Sequence, residues 1–186
     1  MRILLSILVL IFSFQSFAKA DDIRDFEIEG ISIGDKLLEH FSKKEINSST
    51  DESTSDRVYI VKTFFNLKFD LYEAIQITYK NSDQNKTIVG IGGVLGFPNN
   101  INSCKKEMYY IVSQIENIFP NSIKKDWGKY NMPTNEGHYF PITFDLKDMS
   151  RAMVSCQDWN KSTGIDDNLK VSLFAADYSE YLKRQN

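Results

Sequence analysis

Gly30-Ile31-Ser32-Ile33-Gly34 is a literal G-x-S-x-G, the pentapeptide that holds a serine nucleophile on a strand-to-helix turn. It follows an apolar alternation and precedes a helical one, which is the local context such an elbow needs. Acyl transfer also requires a base, a group to orient it, and an oxyanion N–H contributed by an earlier strand. His138 follows in the right chain order among many acids, but only Asp21 to Glu29 stand between the expected processing point at Ala20 and the pentapeptide. That is too little chain to lay down a hydrolase sheet, so a small secreted serine hydrolase using Ser32 is the alternative reading and not the first.

Other chemistry-bearing patterns fail on spacing. Gly90, Gly92, Gly93 and Gly96 resemble a phosphate loop, yet a dinucleotide fingerprint starting at Gly90 needs glycine where Leu95 stands, and no Gly-Lys-Ser/Thr follows. Close backbone packing in a strand explains these glycines. Asp158, Asn160, Ser162 and Asp166 take positions one, three, five and nine of a calcium-type loop. Gly164 then falls one place late and Leu169 replaces the bidentate acid, which leaves a polar hairpin loop. His40 and His138 are the only histidines and lack the i, i+4 spacing of a zinc helix. No catalytic residue, metal or cofactor is expected.

Two residue sets remain. Cys104 and Cys156 are the only cysteines, and in an oxidising compartment they form one disulfide. Trp127, Tyr130, Tyr139 and Trp159 fall in or beside loops, where large amphipathic rings serve as core caps or as a stacking surface. They are the predicted binding residues.

The elements that must position these groups follow from periodicity. Residues 25–33 read as a strand with a bulge at Gly30, and Asp35 as the cap of a short helix carrying Leu37, Leu38 and Phe41. Residues 47–56 (NSSTDESTSD) contain nothing apolar and are expected as a mobile loop. Period-two runs at 58–65, 69–79, 87–97, 138–144, 151–159 and 169–175 predict strands. Cys104, Met108, Ile111, Ile115 and Ile118 recur at helical spacing, with Asn102 or Ser103 as cap and Pro120 as stop. Because Cys104 shares that apolar stripe, its bridge to Cys156 would clamp helix to sheet. A short tail helix starts at Asp177. Hairpin-linked strands with helices between them predict an α+β fold: an antiparallel sheet of about six strands with one long and two short helices packed on it. Helix plus three strands occurs twice, without residue-level similarity between the halves.

The N-terminus sets the compartment. Met1-Arg2 is a positive start, residues 3–14 are an apolar run shorter than the roughly 20 residues that span a bilayer, and Ala18-Lys19-Ala20 fits signal-peptidase cleavage. Residues 1–20 are therefore expected to be a signal peptide, and 21–186 a single α+β domain that is periplasmic or secreted. Without Arg2 and Lys19, 20 basic side chains face 25 acidic ones, which argues against nucleic acid as a partner. No later segment predicts a membrane span.

The block DFEIEGISIGDKLLEHFSKKEI (25–46) resembles the N-terminal SIGD-type strand-turn-helix block of small exported bacterial proteins with no assigned function. The order glycine, short helix, strand meander is similar to that of small envelope-assembly modules and secreted inhibitor domains. The resemblance implies an exported accessory domain and no chemistry. Together these features predict a binding or accessory domain, more binder than enzyme, that contacts an envelope or extracellular protein, peptide or glycan.

Overall fold

The computed structural model describes residues 22–53, 56–65, 69–132 and 135–185. The predicted signal peptide, 1–20, lies outside the described residues. In chain order the elements are β1 (Glu27–Ile28), β2 (Ile31–Ser32), α1 (Leu37–His40), α2 (Lys43–Ser48), β3 (Thr50–Asp51), β4 (Tyr59–Phe65), β5 (Ala74–Lys80) and β6 (Ile88–Gly96). They continue with α3 (Ile101–Ile118), β7 (Ile123–Asp126), β8 (Tyr130–Asn131), β9 (Gly137–Asp145), β10 (Arg151–Trp159), β11 (Asn168–Phe174) and α4 (Ala176–Gln185).

One antiparallel sheet runs β3-β4-β5-β6-β11-β10-β9-β7, with β8 also pairing β9, so it has nine strands rather than about six. The additions are β3, β7 and β8. Their residues are exposed, so no apolar alternation announces them. There are four α-helices rather than three, because the stretch after Leu37 divides: Phe41 leaves the helical conformation and Ser42 caps α2, with Glu45 completing a capping box. Within 47–56, Asn47 and Ser48 end α2 and Thr50–Asp51 pair with Lys62 and Thr63 of β4.

Residues 25–33 are not one bulged strand. The chain reverses at Glu29 and Gly30, both at positive φ, so that β1 pairs with β2 as a tight hairpin. The Glu29 carboxylate accepts the backbone N–H groups of Asp70, Leu71 and Tyr72 at 2.8, 2.7 and 3.1 Å. Those residues are thereby diverted from the strand predicted at 69–79, and β5 begins only at Ala74.

Strand parity sends one set of side chains to each face. Ile60, Phe64, Ile75, Ile77, Ile91, Val171, Val154, Ile142 and Phe144 build the inner core, onto which α3 packs Cys104, Met108, Val112 and Ile115. The Cys104–Cys156 disulfide joins α3 to β10 inside this core, as the helix stripe predicted, with Cα atoms 6.0 Å apart. The N-terminal hairpin and α1 cover the remaining inner surface, where Phe41 stacks on Phe64 with ring centroids 3.9 Å apart. Two αβββ units, α1 and α2 with β4–β6 and α3 with β9–β11, thus meet at the antiparallel β6–β11 pair. Gly93 lies in that region because a Cβ there would fall 2.6 Å from the Tyr72 ring. On the outer face α4 covers one end only, through Tyr178, Tyr181 and Leu182 against Tyr59, Val89, Met153 and Phe174.

Candidate functional site

Three of the four predicted binding rings come together on the outer face, beyond the reach of α4. Trp127 extends the β7–β9 ladder by donating its backbone N–H to the Pro141 carbonyl at 3.1 Å. Its indole Nε1–H donates to Thr143 Oγ1 at 3.0 Å, and Lys125 Nζ lies 3.3 Å from its ring centroid. The chain then turns at Gly128, in the left-handed region, with its N–H on Asp126 Oδ1 at 2.9 Å. That turn delivers Tyr130 opposite Tyr139 in the β8–β9 register. Ring centroids are 6.2 Å apart for Trp127 and Tyr130 and 5.6 Å for Tyr130 and Tyr139, within the range of favourable aromatic pairs. Tyr130 is exposed and Tyr139 half-buried; burial, then the neighbouring Tyr130, raises the Tyr139 phenol above its ordinary value.

Trp159 stands apart from this stack. It pairs with Gly137 at the end of β10, on the same face and one register step from Tyr139, but forms no ring pair with the other three among the described residues. Its Nε1 is buried without a hydrogen-bond partner among the described residues. Gly137 is required there, since a Cβ would fall 2.2 Å from the Asp158 carbonyl oxygen.

Register identifies what surrounds the rings. Across β5, β6, β11, β10 and β9 the outer face carries Gln76, Gly92, Ser172, Met153 and Thr143 in one row, where Met153 meets the α4 cluster, and Ala74, Val94, Lys170, Ser155 and Pro141 in the next; Gly92, Ser172, Thr143, Ala74, Ser155 and Pro141 are buried between their larger neighbours. Lys170 is the single charged side chain of these rows. The exposed face of an antiparallel sheet ordinarily alternates with charged residues. Here the charges stand at the margin instead, on Glu73, Lys125 and Lys129.

The remaining sequence-flagged groups are placed elsewhere. Ser32 Oγ donates to the Phe26 carbonyl at 3.2 Å, His40 Nε2 meets Asp35 Oδ2 at 2.8 Å, and His138 Nδ1 meets Asn131 Oδ1 at 3.0 Å, so no serine–histidine pair is assembled. Asn160 and Thr163 cap and close the short 3-10 turn of the β10–β11 loop, and Asp167 Oδ1 accepts the Trp159 N–H at 3.2 Å. Asp35, Glu39 and His40 are the one trio of possible metal ligands among the described residues, and the Asp35 carboxylate already accepts the Ser32 N–H as well as His40. An open hollow of about 380 Å³ lies beside them, between Glu29, His40, Glu45 and Asp70 over Phe41. Sequence reading missed this hollow because its walls come from the β1–β2 turn, β2, α1, α2 and the segment before β5.

Among the described residues no helix is long and apolar enough to cross a membrane, and the disulfide fits an oxidising compartment. No protein-family model, curated protein or solved structure matches the chain.

Proposed function

We propose that this chain is an exported binding domain that docks an envelope or extracellular protein on the uncovered outer face of its sheet. The observation that carries the reading is the contiguous Trp127–Tyr130–Tyr139 ribbon beside a surface with one central charge. Tyrosine and tryptophan provide large contact area at low side-chain entropy and dominate binding hot spots. Depletion of charge at the centre with charge at the rim is the anatomy of a protein–protein interface. Gln76 and Gln157, both half-buried, leave amide groups on this face, as a polar, water-tolerant interface requires.

Site-specific photocrosslinking in envelope fractions tests this. A photoreactive residue at Tyr130, Tyr139 or Gln157 is expected to trap one common protein, and the same residue at Tyr109 or Tyr110, exposed on α3, is not. Trp127→Ala with Tyr139→Ala should abolish the adduct formed from Gln157 while far-UV dichroism stays unchanged. An adduct formed equally from both faces of the molecule, or one indifferent to the double substitution, rules the reading out.

A further inference from the structure

We propose that Lys170 is a nucleophilic amine that captures small aldehydes as an imine on the outer face of the sheet. Lys170 sits in mid-sheet on β11, between Val94 of β6 and Ser155 of β10. Its side chain crosses β6 over Gly92, where a Cβ would lie 3.2 Å from Lys170 Cε and 3.0 Å from Ser172 Oγ. Any larger residue at 92 would close that passage. Beyond it the Lys170 ammonium donates to Gln76 Oε1 at 2.6 Å. Gln76 is itself held in orientation, because its Nε2 donates to Glu52 Oε2 at 2.6 Å and to Thr63 Oγ1 at 3.3 Å.

The consequence is a lysine whose hydrogen-bonded partner is a neutral amide oxygen. The carboxylate in the network, Glu52, is reached only through Gln76, and Lys170 takes part in no ion pair among the described residues. Lys62 and Lys183, by contrast, lie 3.4 and 3.5 Å from the carboxylates of Asp51 and Asp145. An ammonium has three donors to satisfy, whereas a neutral amine has two and keeps a lone pair. Burial lowers the proton affinity of Lys170, with the Glu52 charge opposing. A desolvated lysine is activated as a nucleophile for this reason.

Ser172 is the second observation. Its hydroxyl is fully buried beside Gly92 and has no hydrogen-bond partner among the described residues, which is costly unless the group acquires one. In the proposed reaction the Nζ lone pair forms the C–N bond, the carbonyl oxygen becomes a hydroxyl by taking a proton from the nitrogen, and the Ser172 hydroxyl hydrogen-bonds that oxygen. The hydroxyl then takes the second proton of the nitrogen and leaves as water while the nitrogen lone pair forms C=N, so that amine plus aldehyde give imine plus water and nothing is oxidised or reduced. The capture is reversible by hydrolysis. It is independent of the protein-docking reading, since it needs only a free outer face.

The test uses the intact protein with limiting propionaldehyde and cyanoborohydride at pH 7, followed by peptide mapping of propyl-lysine over time. Each unit by which an amine's proton affinity falls raises its neutral fraction about tenfold. Lys170 is therefore expected to react faster than exposed lysines such as Lys106, with Lys170→Arg removing that fast phase alone and Gln76→Leu altering its rate. A Lys170 rate equal to or below that of Lys106 in the unaltered protein overturns the proposal, whatever the variants do.

Discussion

Reduction of the Cys104–Cys156 bridge is expected to destabilise the protein by about 4 kcal/mol without rearranging its core. Both sulfurs are fully buried between α3 and β10, and the crosslink closes a loop with a sequence separation of 52. For a loop of that size the unfolded chain gains about 14 cal/mol/K of entropy on cleavage, or about 4 kcal/mol at 25 °C. In the reduced protein the same atoms still fill the space, so the comparison isolates the crosslink from the packing. With a urea slope of roughly 2 kcal/mol/M for a domain of this size, the midpoint should fall by about 2 M. The assay is urea titration followed by far-UV dichroism and tryptophan fluorescence, comparing oxidised protein with protein unfolded and refolded in phosphine reductant, with thiols counted by mass. Cys104→Ala with Cys156→Ala should fall further, by about 1–2 kcal/mol, because it also empties volume in the core. Midpoints within about 0.5 M of each other at equal slopes would refute the reasoning, since they would show the segment between the two sulfurs to be constrained in the unfolded chain already.

Two further perturbations follow from particular contacts. Gly137→Ala places a Cβ 2.2 Å from the Asp158 carbonyl oxygen, and should cost about 2–4 kcal/mol in urea stability. Gly128→Ala, at positive φ but with open space around it, should cost about 1 kcal/mol; equal losses at the two positions would contradict the packing described for β9 and β10. Burial alone would raise the Asp145 carboxyl, but the Arg151 hydrogen bond and charge, with Lys183 beside them, outweigh it and hold the group below its ordinary value. A depressed folded value means that Asp145 stabilises the protein above its unfolded value of about 3.9, and that this stability disappears as pH falls through the folded value. Asp145→Asn should therefore lower stability by no more than about 1 kcal/mol at pH 7, the group being partly exposed, and the deficit should shrink as pH falls below about 4 and disappear under the folded value. A deficit that widens on acidification would show that the sign is wrong.

The parts of the fold legible in the sequence are those in which burial dictates residue type. The six long strands and α3 each present an apolar face with a fixed period, and Cys104 on the α3 stripe was enough to aim the disulfide at β10. Caps were harder to read, because several polar residues compete for each end. Asn100, not Asn102 or Ser103, caps α3, its side chain accepting the Ser103 N–H at 3.1 Å. Asp35 does not cap α1; its carboxylate turns back to the Ser32 N–H at 2.9 Å and to His40. The Ser42-x-x-Glu45 box that starts α2 was written in plain sequence, but Phe41 beside it read as a continuation of the α1 stripe. The ring residues were recognisable by type. Their contiguity was not, since Trp127 and Tyr130 are carried by β7 and β8, strands without an apolar face of their own. Lys170 gave no signal at all, because its setting depends on the absent side chain of Gly92 and on Gln76, distant in sequence.

The two faces of the sheet constrain the sequence unequally. On the inner face, identity is set by packing: Phe144, Ile75 and Ile77 are fully buried against α3 or the N-terminal hairpin, and almost any polar replacement would be costly. On the outer face packing sets only part of the sequence: Ala74, Thr143, Ser155 and Ser172 are buried among their neighbours and a Cβ at Gly92 would lie 3.0 Å from Ser172 Oγ, whereas at the more exposed positions lysine or glutamate would serve while improving solubility and blocking unwanted association. The chain instead carries alanine, glycine, serine, glutamine, proline and tyrosine there, with one lysine tied to a neutral amide. Packing accounts for the small buried residues but not for the scarcity of charge at the half-buried positions, since the hydrophobic core on this side among the described residues is the small cluster under α4. A surface that must stay uncharged to be desolvated by a partner does account for it, and for the aromatic ribbon at its border as well.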